Sequence, residues 1–253
     1  MKGWWKLYKK DLYAILFFLL VVILLVSAWQ LFLYYRINRY PSELVFGLGL
    51  IPFLFFPLLM LWQGYQGFRR EWKEETAYFL LSLPRPGWQL ALSKLLAGVT
   101  FYLVTIGYSI LLLYLVNGST VTDIFRHLPE VIERNVVGMI LTRVFIFSVI
   151  SGIAIYILSQ FAFLIGRFYE RFNGLVSILV YILSVYITFR GGSILAPLLN
   201  WLPNLSFPVQ FSNSGLTEVR TLYLGSGPIF GSIVIIIVLF WLGSYVLAEH
   251  LEV

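Results

Sequence analysis

Arg69, Arg70, Glu71, Lys73, Glu74 and Glu75 crowd seven consecutive positions within the segment Gly67 to Ala91, in a chain where only 12% of residues are Asp, Glu, Lys or Arg. From the same segment, Trp72, Thr76, Phe79, Leu80 and Leu83 recur at i, i+4, i+7, i+8 and i+11. That spacing predicts an amphipathic helix with a charged face. Charges beside an apolar stripe do recognition chemistry, laying a helix into the groove of a partner. A solvated run of juxtamembrane charge accounts for the same residues without a partner. Pro84 and Pro86, followed by Gly87, stop the helix, and Trp88 to Lys94 leads onward.

Few other residues could carry chemistry. There is no cysteine, which excludes disulfides, thiolate nucleophiles and Cys-ligated metals, and the only histidines are His127 and His250. No G-x-x-x-x-G-K-[ST] phosphate loop occurs. The expectation is a chain with no catalytic, cofactor or metal site of its own. Net charge is +6, from 18 Lys and Arg against 12 Asp and Glu, clustered at the ends of apolar runs instead of forming a basic stripe. Nucleic acid is therefore not an expected partner.

The elements that must hold the charged segment are read from the apolar residues, which make up 60% of the chain. A soluble domain carries about 45–50%. Six long apolar runs compare with the roughly 20 residues that cross a bilayer: 12–33, 44–66, 92–116, 139–165, 174–189 and 228–247, the fifth being short at 16 unless it begins near Phe168 with Arg171 snorkelling. The first follows Lys2, Lys6, Lys9 and Lys10, but it is too long for a signal peptide and no cleavage site follows, so it reads as a retained span. Within the spans the charged residues are Lys94, near one end of the third, and Arg143, near one end of the fourth. Both are placed to snorkel to an interface. A proton relay or a charge-ring filter needs ionisable groups at mid-depth, which weighs against a proton-coupled carrier or a charge-selective channel.

Eleven Lys and Arg lie on the side of the N-terminus and seven on the other, so both termini are expected in the cytoplasm. Met1 to Asp11, with Trp4, Trp5 and Tyr8 among four lysines, reads as an interfacial helix. Asn117 to Gly138 reads as an outer interfacial helix or an extension of the fourth span. Ile194 to Leu202, interrupted by Pro197 and Asn200, is too short to span and suits a re-entrant or interfacial hairpin. Pro203, Pro208, Asn213 and Gly215 predict loop after it. Pro52 and Pro57 predict kinks in the second span. Ser148 and Gly152, and Gly227 and Gly231, have the small-xxx-small spacing that lets helix backbones approach.

The stretch 71–94, E-W-K-E-E-T-A-Y-F-L-L-S-L-P-R-P-G-W-Q-L-A-L-S-K, resembles the permease subunits of ABC-2 type exporters. Their pattern runs from a charged helix through Thr and a Leu-rich stretch to S-L-P, then an aromatic and a Lys at the third span. Thr76, Leu80, Leu81, Ser82, Leu83, Pro84, Trp88 and Lys94 occupy those places. The motif covers about 24 residues; the six spans, the long last outer segment and the terminal A-E-H-L-E-V agree in architecture.

The resemblance implies an all-α integral membrane protein, residues 1–253 forming one ABC-2 type transmembrane domain in the plasma membrane. It implies an N-terminal interfacial helix, a cytoplasmic coupling helix between spans two and three, and a re-entrant outer segment between spans five and six. The implied partners are two copies of a nucleotide-binding ATPase subunit, which holds ATP and Mg, and a second permease half, either an identical copy or a paralogue. Arg70, Glu71, Glu74 and Glu75 would dock on the ATPase by charge, Trp72 and Phe79 would anchor the helix, and Thr76 belongs to the same segment. Export of a lipophilic or amphipathic substrate, a drug, peptide or lipid, is the implied activity. The readings that compete with it are a non-transporting membrane scaffold or sensor subunit, and a secondary carrier driven by an ion gradient.

Overall fold

An apolar run in hydrocarbon has no water to satisfy its peptide groups, so it must become a helix or close into a barrel. The computed structural model describes residues 2–36, 39–76, 86–127, 134–199, 201–213 and 216–249. Its helices are α1 (Lys2–Arg36), α2 (Ser42–Gly49), α3 (Ile51–Lys73), α4 (Gly87–His127), α5 (Arg134–Gly166), α6 (Asn173–Leu195) and α7 (Ser226–Glu249). Short 3₁₀ turns lie at Glu170–Phe172 and Ala196–Leu199, and strands β1 (Leu205–Asn213) and β2 (Leu216–Leu224) precede α7. Six stretches are long and apolar enough to cross a membrane: Trp4–Arg36, Leu44–Lys73, Gly87–Gly118, Leu141–Gly166, Asn173–Leu199 and Ser226–Ala248. Five of the six runs read from the sequence lie within these stretches, and the fourth starts two residues before Leu141, inside α5.

Four local expectations give way. The N-terminal segment is no separate interfacial helix, because α1 continues unbroken from Lys2 to Arg36. Nothing between Trp4 and Leu12 breaks a helix, and Tyr8 fastens the segment to α4, its hydroxyl 2.9 Å from Thr100 Oγ1. In the second span, α2 ends before Leu50 and α3 begins at Ile51. Pro52 thus starts a new helix, where its missing N–H costs nothing, while Pro57 lies inside α3.

The fifth span runs on past Arg190 and its paired glycines instead of stopping there. Gly192 lies against Ser232 and the Pro228 carbonyl, and Gly231 lies against the Gly192 backbone. Close packing on α7 holds a helix that glycine propensity alone would end. Of the stretch read as re-entrant, Ile194 and Leu195 are the end of α6 and Ala196–Leu199 a 3₁₀ turn, while Asn200 lies outside the described residues.

Beyond it, the segment read as loop is an antiparallel hairpin, with Pro208 opposite Thr221 and Val209 opposite Arg220. Both strands of a two-stranded sheet are edges, so Pro208 is tolerated. The six-helix frame therefore carries one β element among the described residues, a departure from a wholly α fold.

Helices α1 and α4, α3 and α5, and α6 and α7 are the principal packed pairs. The N-terminal part of α1 meets the end of α3 and the start of α4, and Gly87 at the start of α4 lies against Ser244 and Ala248 of α7. The start of α1 and the end of α7 therefore lie at the same end of the bundle. A small core there gathers Phe68, Leu90, Ala91, Phe163, Leu164 and Leu247. Outward, large apolar side chains such as Phe17, Leu24, Leu54, Ile178, Ile182 and Phe189 are more than half exposed, as a lipid-facing surface requires.

Candidate functional site

Lys94 does not snorkel. Its residue is 4% exposed, and its Nζ lies 3.1 Å from Asp11 Oδ1 on α1 and 3.0 Å from Glu71 Oε1 on α3. Asp11 and Glu71 are buried as well. Removing charges from water is costly, and such a group persists only where hydrogen bonds complete the pairing. They do: Ser93 Oγ donates to Asp11 Oδ2 at 2.7 Å, and Thr76 Oγ1 donates to Glu71 Oε2 at 2.7 Å. Lys10, which reaches in from a half-exposed position, donates to both Glu71 oxygens at 2.9 and 3.1 Å. The Phe68 ring lies 5.2 Å from the Lys94 ammonium, a cation–π distance.

A fourth helix joins through the backbone. Tyr156 of α5 donates its hydroxyl to the Lys94 carbonyl at 2.8 Å and is 1% exposed. Its ring seats against Gly98 of α4, and its carbonyl against Gly64 of α3, two positions where a Cβ would collide. The glycines make the socket and the tyrosine fills it. α1, α3, α4 and α5 are thereby tied together at the end of the bundle that holds the N-terminus.

The charged segment divides at this point. Glu71 faces into the network, and the Arg70 guanidinium donates to the Ala14 carbonyl on α1. Trp72 packs edge-on to Phe68 and Phe163, with ring centroids 6.1 and 5.9 Å apart. Glu74 and Glu75 are exposed. The charge-dense residues are therefore the last turn and cap of α3, and they do not share one outward face. Phe79, with Leu80 and Leu83, lies outside the described residues.

The cap is a Schellman motif: the Thr76 N–H bonds the Glu71 carbonyl at 2.9 Å and the Glu75 N–H bonds the Trp72 carbonyl at 3.4 Å. Glu75 takes the left-handed conformation this motif requires, with φ 56°, where glycine is the usual occupant. Thr76 thus touches Glu71 through both backbone and side chain. The connection leaving α3 begins bonded to the buried ion pairs.

Between α1 and α3, beside the network, lies a cavity of about 450 Å³, lined by Lys10, Asp11, Ala14, Ile15, Phe17, Phe18, Gly67, Arg70, Glu71, Glu74, Lys94 and Tyr156. Near the opposite end, Gln30 donates to the Gly49 carbonyl at 3.1 Å while its Oε1 has no partner, and both amide atoms of buried Asn117 are unpaired where α4 leaves helical geometry. Among the described residues no group of three His, Asp or Glu could hold a metal ion.

Of the residues that do most here, Asp11, Ser93, Lys94 and Tyr156 are absent from the predicted docking set. A signal existed: Asp11, Glu71 and Lys94 lie near the same-side ends of three spans, where opposite charges share one depth. No protein-family model, curated protein or solved structure matches the chain.

Proposed function

We propose that this chain is the permease half of an ATP-driven exporter of the ABC-2 type, with ATP and Mg held by a separate nucleotide-binding subunit. The observation that carries the reading is the join between the α3–α4 connection and the helix bundle. Thr76, the first residue beyond the cap, is bonded to Glu71, and Glu71 is bonded to Lys94 of α4 and Lys10 of α1. A push on that connection reaches three helices through ion pairs and a fourth through Tyr156. Interfaces packed this closely shift between discrete arrangements instead of deforming smoothly.

In this reading the connection faces the cytoplasm, in accord with the excess of Lys and Arg on that side. Glu74 and Glu75 supply the exposed charge for docking, while Arg70, Glu71 and Trp72 transmit force inside the bundle. Two ATPase copies and a second permease half complete the assembly around a two-fold axis, in the plasma membrane. The substrate in this reading is lipophilic or amphipathic, in keeping with spans whose charged side chains lie near their ends.

The test is co-expression with a P-loop ATPase from the neighbouring reading frame. Recovery of a complex in which reconstituted vesicles hydrolyse ATP faster with the permease present is the expected result. A permease that purifies alone and leaves ATP turnover unchanged would refute the reading.

A further inference from the structure

The cavity between α1 and α3 is walled by two kinds of surface. Charged side chains, the exposed Glu74 among them, line part of it, and Ile15, Phe17 and Phe18 of α1 supply an apolar wall beside Ala14, whose carbonyl holds Arg70. Lys10 and Phe17 are seven residues apart, about 10 Å of helix rise. The lining therefore runs about two turns along α1, from the charged residues into its apolar run. Phe17 is 78% exposed, so this wall is open to the bilayer.

The charges are not equally engaged. Lys94, Asp11 and Glu71 spend their capacity on one another, Ser93 and Thr76. Arg70 uses one nitrogen on the Ala14 carbonyl, and Lys10 makes its bonds to Glu71 from a side chain 53% exposed. A guanidinium offers five donors and an ammonium three, so each has capacity beyond these bonds, and both side chains line the cavity. Arg and Lys donors of this kind recognise phosphate.

We propose that this cavity binds the head of a phospholipid from the leaflet on the N-terminal side, its phosphate between Arg70 and Lys10 and its glycerol end against Ala14 and Phe17, with the acyl chains remaining in the bilayer. Its volume falls within the roughly 300–1,000 Å³ of small-molecule pockets. That suits a headgroup and not a whole lipid. The site does not depend on the exporter reading; it requires only that α1 and α3 lie in a membrane.

Native mass spectrometry of the detergent-purified chain, titrated with dioleoylphosphatidylglycerol, dioleoylglycerol or glycerol 3-phosphate, tests it. The phospholipid should bind at least ten-fold more tightly than dioleoylglycerol, which lacks phosphate, and than glycerol 3-phosphate, which lacks chains. Arg70→Gln should weaken phospholipid binding about ten-fold, and Ala14→Trp, which fills the apolar wall without altering charge, should do the same. Arg69→Gln, an exposed neighbour stacked on Tyr65 away from the cavity, should leave it unchanged. Equal binding of glycerol 3-phosphate would replace the lipid with a soluble phosphate and overturn the proposal. So would unchanged lipid binding in Ala14→Trp, which decides the matter by itself if Arg70→Gln fails to fold.

Discussion

Lys94 and Glu71, separated by 23 residues of sequence and on different helices, form a buried ion pair at 3.0 Å, and Asp11 binds the same ammonium from a third helix. One cation between two carboxylates leaves each charge dependent on the others. Lys94→Met should therefore leave Asp11 with no cation and Glu71 with Lys10 alone, and cost about 3–5 kcal/mol. Lys10→Met removes a half-exposed partner and should cost no more than about 1 kcal/mol. Thermal unfolding of the two variants in the same detergent checks the contrast. Equal, small losses would mean that the Lys94 site is open to water.

The small residues of α4 separate in the same way. A Cβ at Gly98 would enter the Tyr156 ring, whereas a Cβ at Gly107 meets nothing within 4 Å. Gly98→Ala should destabilise by about 1–3 kcal/mol through overpacking. Gly107→Ala should be neutral or stabilising, since alanine is the better helix former by about 1 kcal/mol. Melting temperatures of the pair measure the difference, and a Gly98→Ala protein as stable as its parent would remove Tyr156 from its socket.

These two glycines also mark what the sequence made legible. Apolar length located all six spanning helices, because crossing hydrocarbon imposes a requirement on each helix separately. The contact between Gly98 and Tyr156 depends on how α4 and α5 rotate about their axes, which length does not specify. Lys94 reads as a snorkelling residue in the sequence for a related reason. Its carboxylate partners come from helices distant in sequence, and periodicity along α4 carries no information about them.

Ser148 and Gly152 were visible as a small-xxx-small pair, and in the structure they receive Tyr102, its hydroxyl 2.9 Å from Ser148 Oγ and its ring beside Gly152. The hairpin was hidden by Pro208, which reads as a strand breaker until both strands prove to be edges. The docking residues were located in the chain, but a helical face drawn from residue 72 onward did not show that α3 ends at Lys73 and turns Glu71 inward.

Glu75 offers a test of the cap itself. A non-glycine residue in the left-handed region costs about 1–2 kcal/mol. Glu75→Gly should relieve part of that cost, and Glu75→Ala should retain it, so the glycine variant should be more stable than the alanine variant by about 1 kcal/mol. Unfolding in detergent reads this directly. An alanine variant equal to the glycine variant would show that Glu75 is not held left-handed.

Orientation is open to chemical labelling, because the chain has no cysteine to interfere. Ser82→Cys falls in the α3–α4 connection and Ser214→Cys between β1 and β2. With the excess of positive charge in the cytoplasm, an impermeant thiol reagent added to intact cells should modify the Ser214 variant and spare the Ser82 variant until the membrane is permeabilised. Labelling in the opposite order would invert the topology.

The division of the acidic residues at the end of α3 gives the sharpest test of coupling. Glu74 and Glu75 are exposed, whereas Glu71 is buried among Lys94, Lys10 and Thr76. If the exposed pair docks on an ATPase, Glu74→Lys with Glu75→Lys should leave the bundle intact and weaken the complex by about 2–5 kcal/mol, through inverted interface charge. Glu71→Lys should act differently, placing a third cation beside Lys94 and Lys10 and reducing recovery of folded protein before any partner is added. Glu71→Gln keeps the shape and removes the charge. It should preserve ATPase binding while reducing substrate-stimulated ATP turnover, because the connection would then be less firmly bonded to α4. Size-exclusion profiles, partner co-purification and ATP turnover, measured on all three variants, separate docking from force transmission. If the double lysine variant binds the ATPase as tightly as the parent, the exposed pair is a solvated surface and the docking role passes to other residues of the connection.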